Sequence, residues 1–114
     1  MTTRGIPIET LDVAEVARLR DAGRLVLIDV REPSEYASER IAGTLLCPLS
    51  TFDTAALPSD GSGRVVFYCG SGKRSLAAAE RCIEAGQAQA AHMAGGIAAW
   101  KAAGLPVVRP GSSA

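Results

Sequence analysis

Two runs along the chain are continuously apolar: Leu25-Val26-Leu27-Ile28, which ends at Asp29, and Val65-Val66-Phe67-Tyr68, which leads straight into Cys69. Runs of this length suit strands buried on both faces, as in a parallel sheet. Elsewhere the apolar positions take helical spacing. Val13, Val16, Ala17 and Leu19 follow Asp12, an N-cap residue with Glu15 three positions on to complete a capping box, and Gly23 stops that helix. Leu76, Ala79, Cys82 and Ile83 share one face of a helix predicted over residues 75–85 and closed by Gly86. Pro33 opens a short helix over residues 33–38. Shorter strands are predicted at 6–8, 44–48 and 90–93, and a last helix at 97–103 before Gly104 and Pro106. Residues 50–63, broken by Pro58, Gly61 and Gly63, read as loop or irregular helix.

Strands alternating with helices imply an α/β domain with a mostly parallel sheet. In such sheets ligands bind beyond the carboxyl ends of the strands, and Cys69 stands at one of those ends. A length of 114 residues suits one domain. Residues 1–108 are assigned to it, and the tail 109–114 reads as disordered.

Charge and cysteine usage narrow the partners. Lysine plus arginine total 12, as do aspartate plus glutamate, so nothing argues for nucleic acid or an anionic membrane, and any anion site must be local. No apolar run approaches the roughly 20 residues of a membrane span, and residues 1–9 lack the apolar stretch of a signal peptide. The odd cysteine count, at positions 47, 69 and 82 with no C-x-x-C spacing, argues against a disulfide framework or a zinc site. A reducing, cytoplasmic setting is expected.

The candidate chemistry lies in Cys69-Gly70-Ser71-Gly72-Lys73-Arg74-Ser75, between a buried strand and a helix. Two glycines let the backbone curl and take positive φ, so that successive N–H groups converge as an anion nest. The helix that follows adds free amides and the positive end of its dipole. Lys73 and Arg74 add full charge. A thiol in such a field is acidified, and the thiolate is the nucleophile. Cys47 and Cys82 read instead as small core residues. Ser75 stands where the helix is expected to begin, as a cap or as a partner of the sulfur. Arg74 has two jobs available: binding substrate, or pairing with Glu35 or Asp29 to hold the loop. Lys73 suits exposed steering of anions. Asp29 and Arg31, at a buried strand end, suit an ion pair that fixes neighbouring loops. His92 is the sole histidine, but nothing in the sequence places it against Cys69. Trp100 reads as a core anchor.

With these residues in view, the chain resembles the rhodanese domain from about Ile6 to Val108. Three segments carry the resemblance: Leu27 through Tyr36, with Asp29-Val30-Arg31 at its centre; the Cys69–Arg74 loop followed by Ser75; and Ala94-Gly95-Gly96-Ile97-Ala98-Ala99-Trp100, similar to the family's Gly-Gly-x-x-x-Trp signature. The resemblance implies a five-stranded parallel sheet with helices on both faces. It implies that Cys69 takes the outer sulfur of thiosulfate or a persulfide donor and passes it to a thiol or protein-cysteine acceptor. The backbone of Gly70, Ser71, Gly72, Lys73 and Arg74 would bind the transferred sulfur, and Asp29, Arg31, Glu35 and Ser75 would support the loop. No cofactor or metal is implied. One departure stands out: where the family often has His-Ile-Pro-Gly, this chain has Arg40-Ile41-Ala42-Gly43, with Arg40 read as a surface residue in exposed ion pairs or as an extension of a positive field.

Two rival functions follow from the same residues. A phosphatase or arsenate reductase also uses a cysteine, a curled loop and an arginine, but its C-x5-R pattern encloses five residues, whereas Cys69 and Arg74 enclose four. A persulfide carrier without turnover, or an interaction module, is the other.

Overall fold

The two apolar runs pair with each other at the centre of a five-stranded sheet. A computed structural model describes residues 7–58 and 64–110. Its strands are β1 (Ile8–Leu11), β2 (Leu25–Asp29), β3 (Leu45–Leu46), β4 (Arg64–Tyr68) and β5 (Ala90–Met93), in the spatial order β1-β5-β4-β2-β3. All of these pairings are parallel. The helices are α1 (Val13–Asp21), α2 (Pro33–Ser38), α3 (Lys73–Glu84) and α4 (Gly96–Ala102). Leu49–Thr51 and Thr54–Ala56 form single 3-10 turns in the segment read as irregular.

Side chains of a strand alternate between faces, and that alternation splits the core in two. Leu27, Val66, Tyr68, Ala91 and Met93 pack with Val16 of α1 and with Ile97 and Trp100 of α4. Ile28, Val30, Phe67 and Cys69 pack with Ala78, Ala79 and Cys82 of α3. Helices therefore cover both faces, and Cys69 projects on the α3 side.

Several boundaries differ from the sequence expectation. The sequence pattern predicts the first strand at 6–8. Ile6 lies outside the described residues, and β1 runs on to Leu11, because pairing with β5 in the register Ile8↔Ala90 to Leu11↔Met93 overrides its weak apolar pattern. The third strand is only Leu45–Leu46. Helix α3 starts at Lys73 rather than 75, with Gly72 as its N-cap. Its buried face is Ser75, Ala78, Ala79 and Cys82, while Leu76, expected inside, is 39% exposed. Asp12 does cap α1, its Oδ1 accepting from the Glu15 amide at 2.8 Å. The Glu15 carboxylate pairs with Arg18 instead of closing a box. Of the tail expected at 109–114, residues 111–114 lie outside the described residues, while Arg109 pairs with Glu39 at 2.9 Å.

The Gly95-Gly96 turn fixes how α4 meets the loop after β4. The Ile97 amide donates to the Cys69 carbonyl at 2.8 Å and the Ala98 amide to the Gly70 carbonyl at 3.2 Å. Gly96 has φ +61°, and a Cβ there would overlap both carbonyl groups. Gly96→Ala should therefore cost about 3 kcal/mol or more, combining left-handed strain with loss of this contact. Gly104→Ala, also at positive φ but with open space around it, should cost only about 1–2 kcal/mol. Urea denaturation of the two variants checks the difference; equal losses would remove the steric argument.

Candidate active site

Cys69 is the first residue beyond β4, and the loop after it curls back over its sulfur. Sγ accepts from the Gly72 amide at 3.0 Å and from the Ser75 amide at 3.3 Å. The Ser75 hydroxyl lies 3.7 Å away. Only Gly72 uses left-handed backbone, at φ +110°. Gly70, expected to share that conformation, does not; a Cβ there would lie 3.2 Å from the Arg74 guanidinium, a tight contact that a small shift of that side chain would relieve. Burial alone would push the Cys69 thiol up. The Ser75 amide and hydroxyl and the amides of Gly72 and Ser71 outweigh it, and the thiol is held below its ordinary value. Cys82, equally exposed at 1%, has no such donors among the described residues, and burial pushes its thiol up.

Arg74 takes one of its two available jobs. Its guanidinium makes a bidentate pair with Glu35, at 2.7 and 3.1 Å. Glu35 also accepts from the Glu32 amide at 3.0 Å and so closes the start of α2. The same carboxylate thus ties the loop to α2, a capping role the sequence reading missed although Glu32 and Glu35 have capping-box spacing. Lys73 is exposed in the first turn of α3.

Asp29 and Arg31 are buried and closed on each other. The Arg31 backbone N–H, Nε and Nη2 all donate to the Asp29 carboxylate, and Nη2 also donates to the Glu39 carbonyl at 2.6 Å. Neither group reaches Cys69. Together they bind the end of β2 to the end of α2, the helix that presents Glu35. Among the described residues Arg40 makes no ion pair. Its guanidinium lies 4.7 Å from the Tyr36 ring centroid and donates to the Tyr36 carbonyl, because the antiparallel Arg40–Val108 bridge holds its backbone there. Trp100 is buried and donates to the Pro106 carbonyl at 2.8 Å.

Two assignments change. Ser75 does not cap α3, since Gly72 does. Its Oγ instead touches the Gly72 carbonyl at 3.1 Å, His92 Nδ1 at 2.9 Å and the Cys69 sulfur. His92 is therefore joined to Cys69 through one hydroxyl. The only sequence signal for this is that His92 lies on the same face of β5 as Phe67 does on the neighbouring strand, which requires the strand register to be known. Among the described residues no group of three or more histidine, cysteine or acidic side chains could hold a metal ion, and no helix is long and apolar enough to cross a membrane.

The rhodanese-like domain family model matches residues 12–103. An uncharacterised Synechocystis protein is 37% identical over 100 residues, covering 88% of this chain and 56% of that protein, so this chain spans about half of that relative's length. A protein of Allochromatium vinosum named sulfurtransferase is 36% identical over 95 residues, covering 82% of this chain and 87% of that one. The solved structure of a Rhodopseudomonas palustris protein of unknown function, described as a possible tyrosine phosphatase, has a TM-score of 0.75 at 30% identity, covering 95% of this chain and 97% of that one.

The Glu35–Arg74 pair gives a pH signature. The Arg74 hydrogen bond holds the Glu35 carboxyl down at about 2, from an ordinary 4.5, against the opposing effect of burial. A depressed acid stabilises the fold above its unfolded pKa, and that stabilisation is lost as pH falls through the folded value. The melting-temperature gap between the wild type and Glu35→Gln should be constant above about pH 5 and close between pH 4.5 and 2. The gap should stay modest, because the pair is more than a third exposed and screened by solvent. A gap that persists at pH 2 would show that the ion pair is not its source.

Proposed function

The chain belongs to the rhodanese-like domain family, and from that membership we propose that it is a sulfurtransferase carrying a sulfane sulfur as a persulfide on Cys69. The observation that carries this reading is the convergence of amide donors and the Ser75 hydroxyl on one buried sulfur. Such an arrangement favours the thiolate without a dedicated base. The thiolate attacks the outer sulfur of a donor such as thiosulfate. The donor's S–S bond breaks, sulfite leaves with the electron pair, and a Cys69 persulfide remains. An acceptor thiolate, from a small thiol or a protein cysteine, then attacks the outer sulfur and returns the Cys69 thiolate. The loop backbone from Gly70 to Arg74 faces the bound sulfur and balances its charge, with Lys73 at the rim to draw in anions. No cofactor or metal takes part, and a reducing compartment such as the cytoplasm keeps the thiol available.

A second reading, phosphomonoester hydrolysis, has the Rhodopseudomonas palustris neighbour in its favour. Two features oppose it. The loop between Cys69 and Arg74 has four residues, one fewer than a phosphate-sized ring. The arginine that would clamp phosphate is engaged by Glu35 through both terminal nitrogens.

Intact-mass measurement after incubation with thiosulfate tests the proposal. The wild type should gain roughly 32 Da, and thiosulfate:cyanide transfer should follow. Cys69→Ser should lose both, while Cys47→Ser and Cys82→Ser should keep both. An adduct that survives Cys69→Ser sinks the assignment. Hydrolysis of an aryl phosphate by a wild type that takes up no sulfur would favour the second reading.

A further inference from the structure

His92 is a buried imidazole that the transfer reaction above does not use. It projects from β5 on the α3 side, with relative exposure of 6%. Nδ1 lies 2.9 Å from Ser75 Oγ and Nε2 lies 3.3 Å from Thr10 Oγ1. Both ring nitrogens are thus bound to hydroxyls, each of which can donate or accept. Burial lowers the basicity of the ring and Glu80 offsets part of that, so the ring is neutral at neutral pH. A neutral imidazole carries one proton, and its position sets what Ser75 can do.

Ser75 has a single hydroxyl proton. Around its oxygen stand the Gly72 carbonyl at 3.1 Å, the Cys69 sulfur at 3.7 Å and His92 Nδ1. The carbonyl is an acceptor only, and so is a thiolate. Were Nδ1 also an acceptor, three acceptors would compete for one proton, and the buried oxygen would receive none. With a proton on Nδ1 the imidazole donates to Ser75 Oγ, and the Ser75 proton is released toward the other two. Between a carbonyl and a thiolate, the charged acceptor forms the stronger bond. Thr10, on the other side, is free to donate to Nε2.

We propose that His92 is held as the Nδ1–H tautomer and thereby directs the Ser75 hydroxyl onto the Cys69 sulfur, as a positioning residue for the nucleophile. The proposal rests on Cys69 being the sulfur carrier, and it adds a donor the backbone loop does not supply. Thr10 of β1, Ser75 and Glu80 of α3 and the apolar Phe67 of β4 face or influence the ring. On the sulfur side, Arg74 lies near enough to feel the Cys69 charge but is closed on Glu35 of α2, and Asp29 is closed on Arg31.

The chain has a single histidine, so imidazole 15N labelling reports on His92 alone. At a pH where Cys69 is ionised, Nδ1 should give the shift of a protonated nitrogen and Nε2 that of a bare one. The opposite pattern overturns the proposal, and this measurement needs no variant. Iodoacetamide alkylation at pH 7 gives the functional arm. His92→Leu should slow Cys69 alkylation by about fivefold or more, whereas His92→Asn, which keeps an N–H near the Nδ1 position, should stay within about twofold of the wild type. In a Ser75→Ala background, His92→Leu should have no further effect. Wild-type rates in His92→Leu, or an undiminished His92→Leu effect in that background, would also overturn it. A wild type with the expected tautomer and alkylation but no sulfur adduct would instead refute the sulfurtransferase reading.

Discussion

The structure depends on two hydrogen bonds that run outward from the loop. The Cys69 and Gly70 carbonyls are taken by the Ile97 and Ala98 amides at the start of α4. A trans peptide is planar, with its C=O and the following N–H pointing in opposite directions. Pinning the Gly70 carbonyl against α4 therefore turns the Ser71 amide the other way, toward the sulfur, where it joins the amides of Gly72 and Ser75. The nest is not only a property of the loop. It is imposed from behind by a helix whose first residue must be glycine for the backbones to approach.

A second set of contacts holds the loop from the opposite side. Asp29 and Arg31 fasten the end of β2 to the end of α2, and α2 presents Glu35 to Arg74. The buried Asp29–Arg31 pair is no evidence of added stability, since desolvation opposes its attraction. Its effect is geometric: it fixes where Glu35 stands, and Glu35 fixes where the first turn of α3 stands. Arg74 is thereby engaged by Glu35, which leaves backbone amides, rather than a guanidinium, as the donors on the Cys69 sulfur.

The central strands were legible in the sequence because strands covered on both faces need uninterrupted apolar residues. The short helix at Pro33 and the Gly95-Gly96 turn were legible for similarly local reasons. What escaped reading depends on contacts between distant segments. Ser75 looks like a helix cap by residue type, but Gly72 in left-handed backbone starts the helix two residues earlier. The predicted face of α3 was rotated, because the stripe against the sheet beside Cys69 takes Ser75, Ala78 and Ala79, and Leu76 is turned outward. The link from His92 to Ser75 spans 17 positions and two elements; no local spacing encodes it. Arg40, replacing a histidine common in the resembled family, was placed by the Val108 bridge and the Tyr36 ring, neither of which is near it by charge pattern.

Cys69 and Cys82 provide an internal comparison for the electrostatic argument. Both side chains pack in the same core cluster and both are 1% exposed. Removing a thiolate from water is costly, so burial alone predicts that both thiols are raised. Cys82 is raised and Cys69 is lowered. The difference cannot be depth, since depth is equal. Nor does it need a cation in contact with the sulfur: Lys73 is exposed and Arg74 is paired with Glu35. What differs is the number of hydrogen-bond donors aimed at the sulfur. Donors already held in place by the fold favour a thiolate at little cost in reorganisation. They supply this stabilisation without an arginine in contact with the sulfur, and that is how a small loop on an otherwise charge-balanced chain can favour a local negative charge.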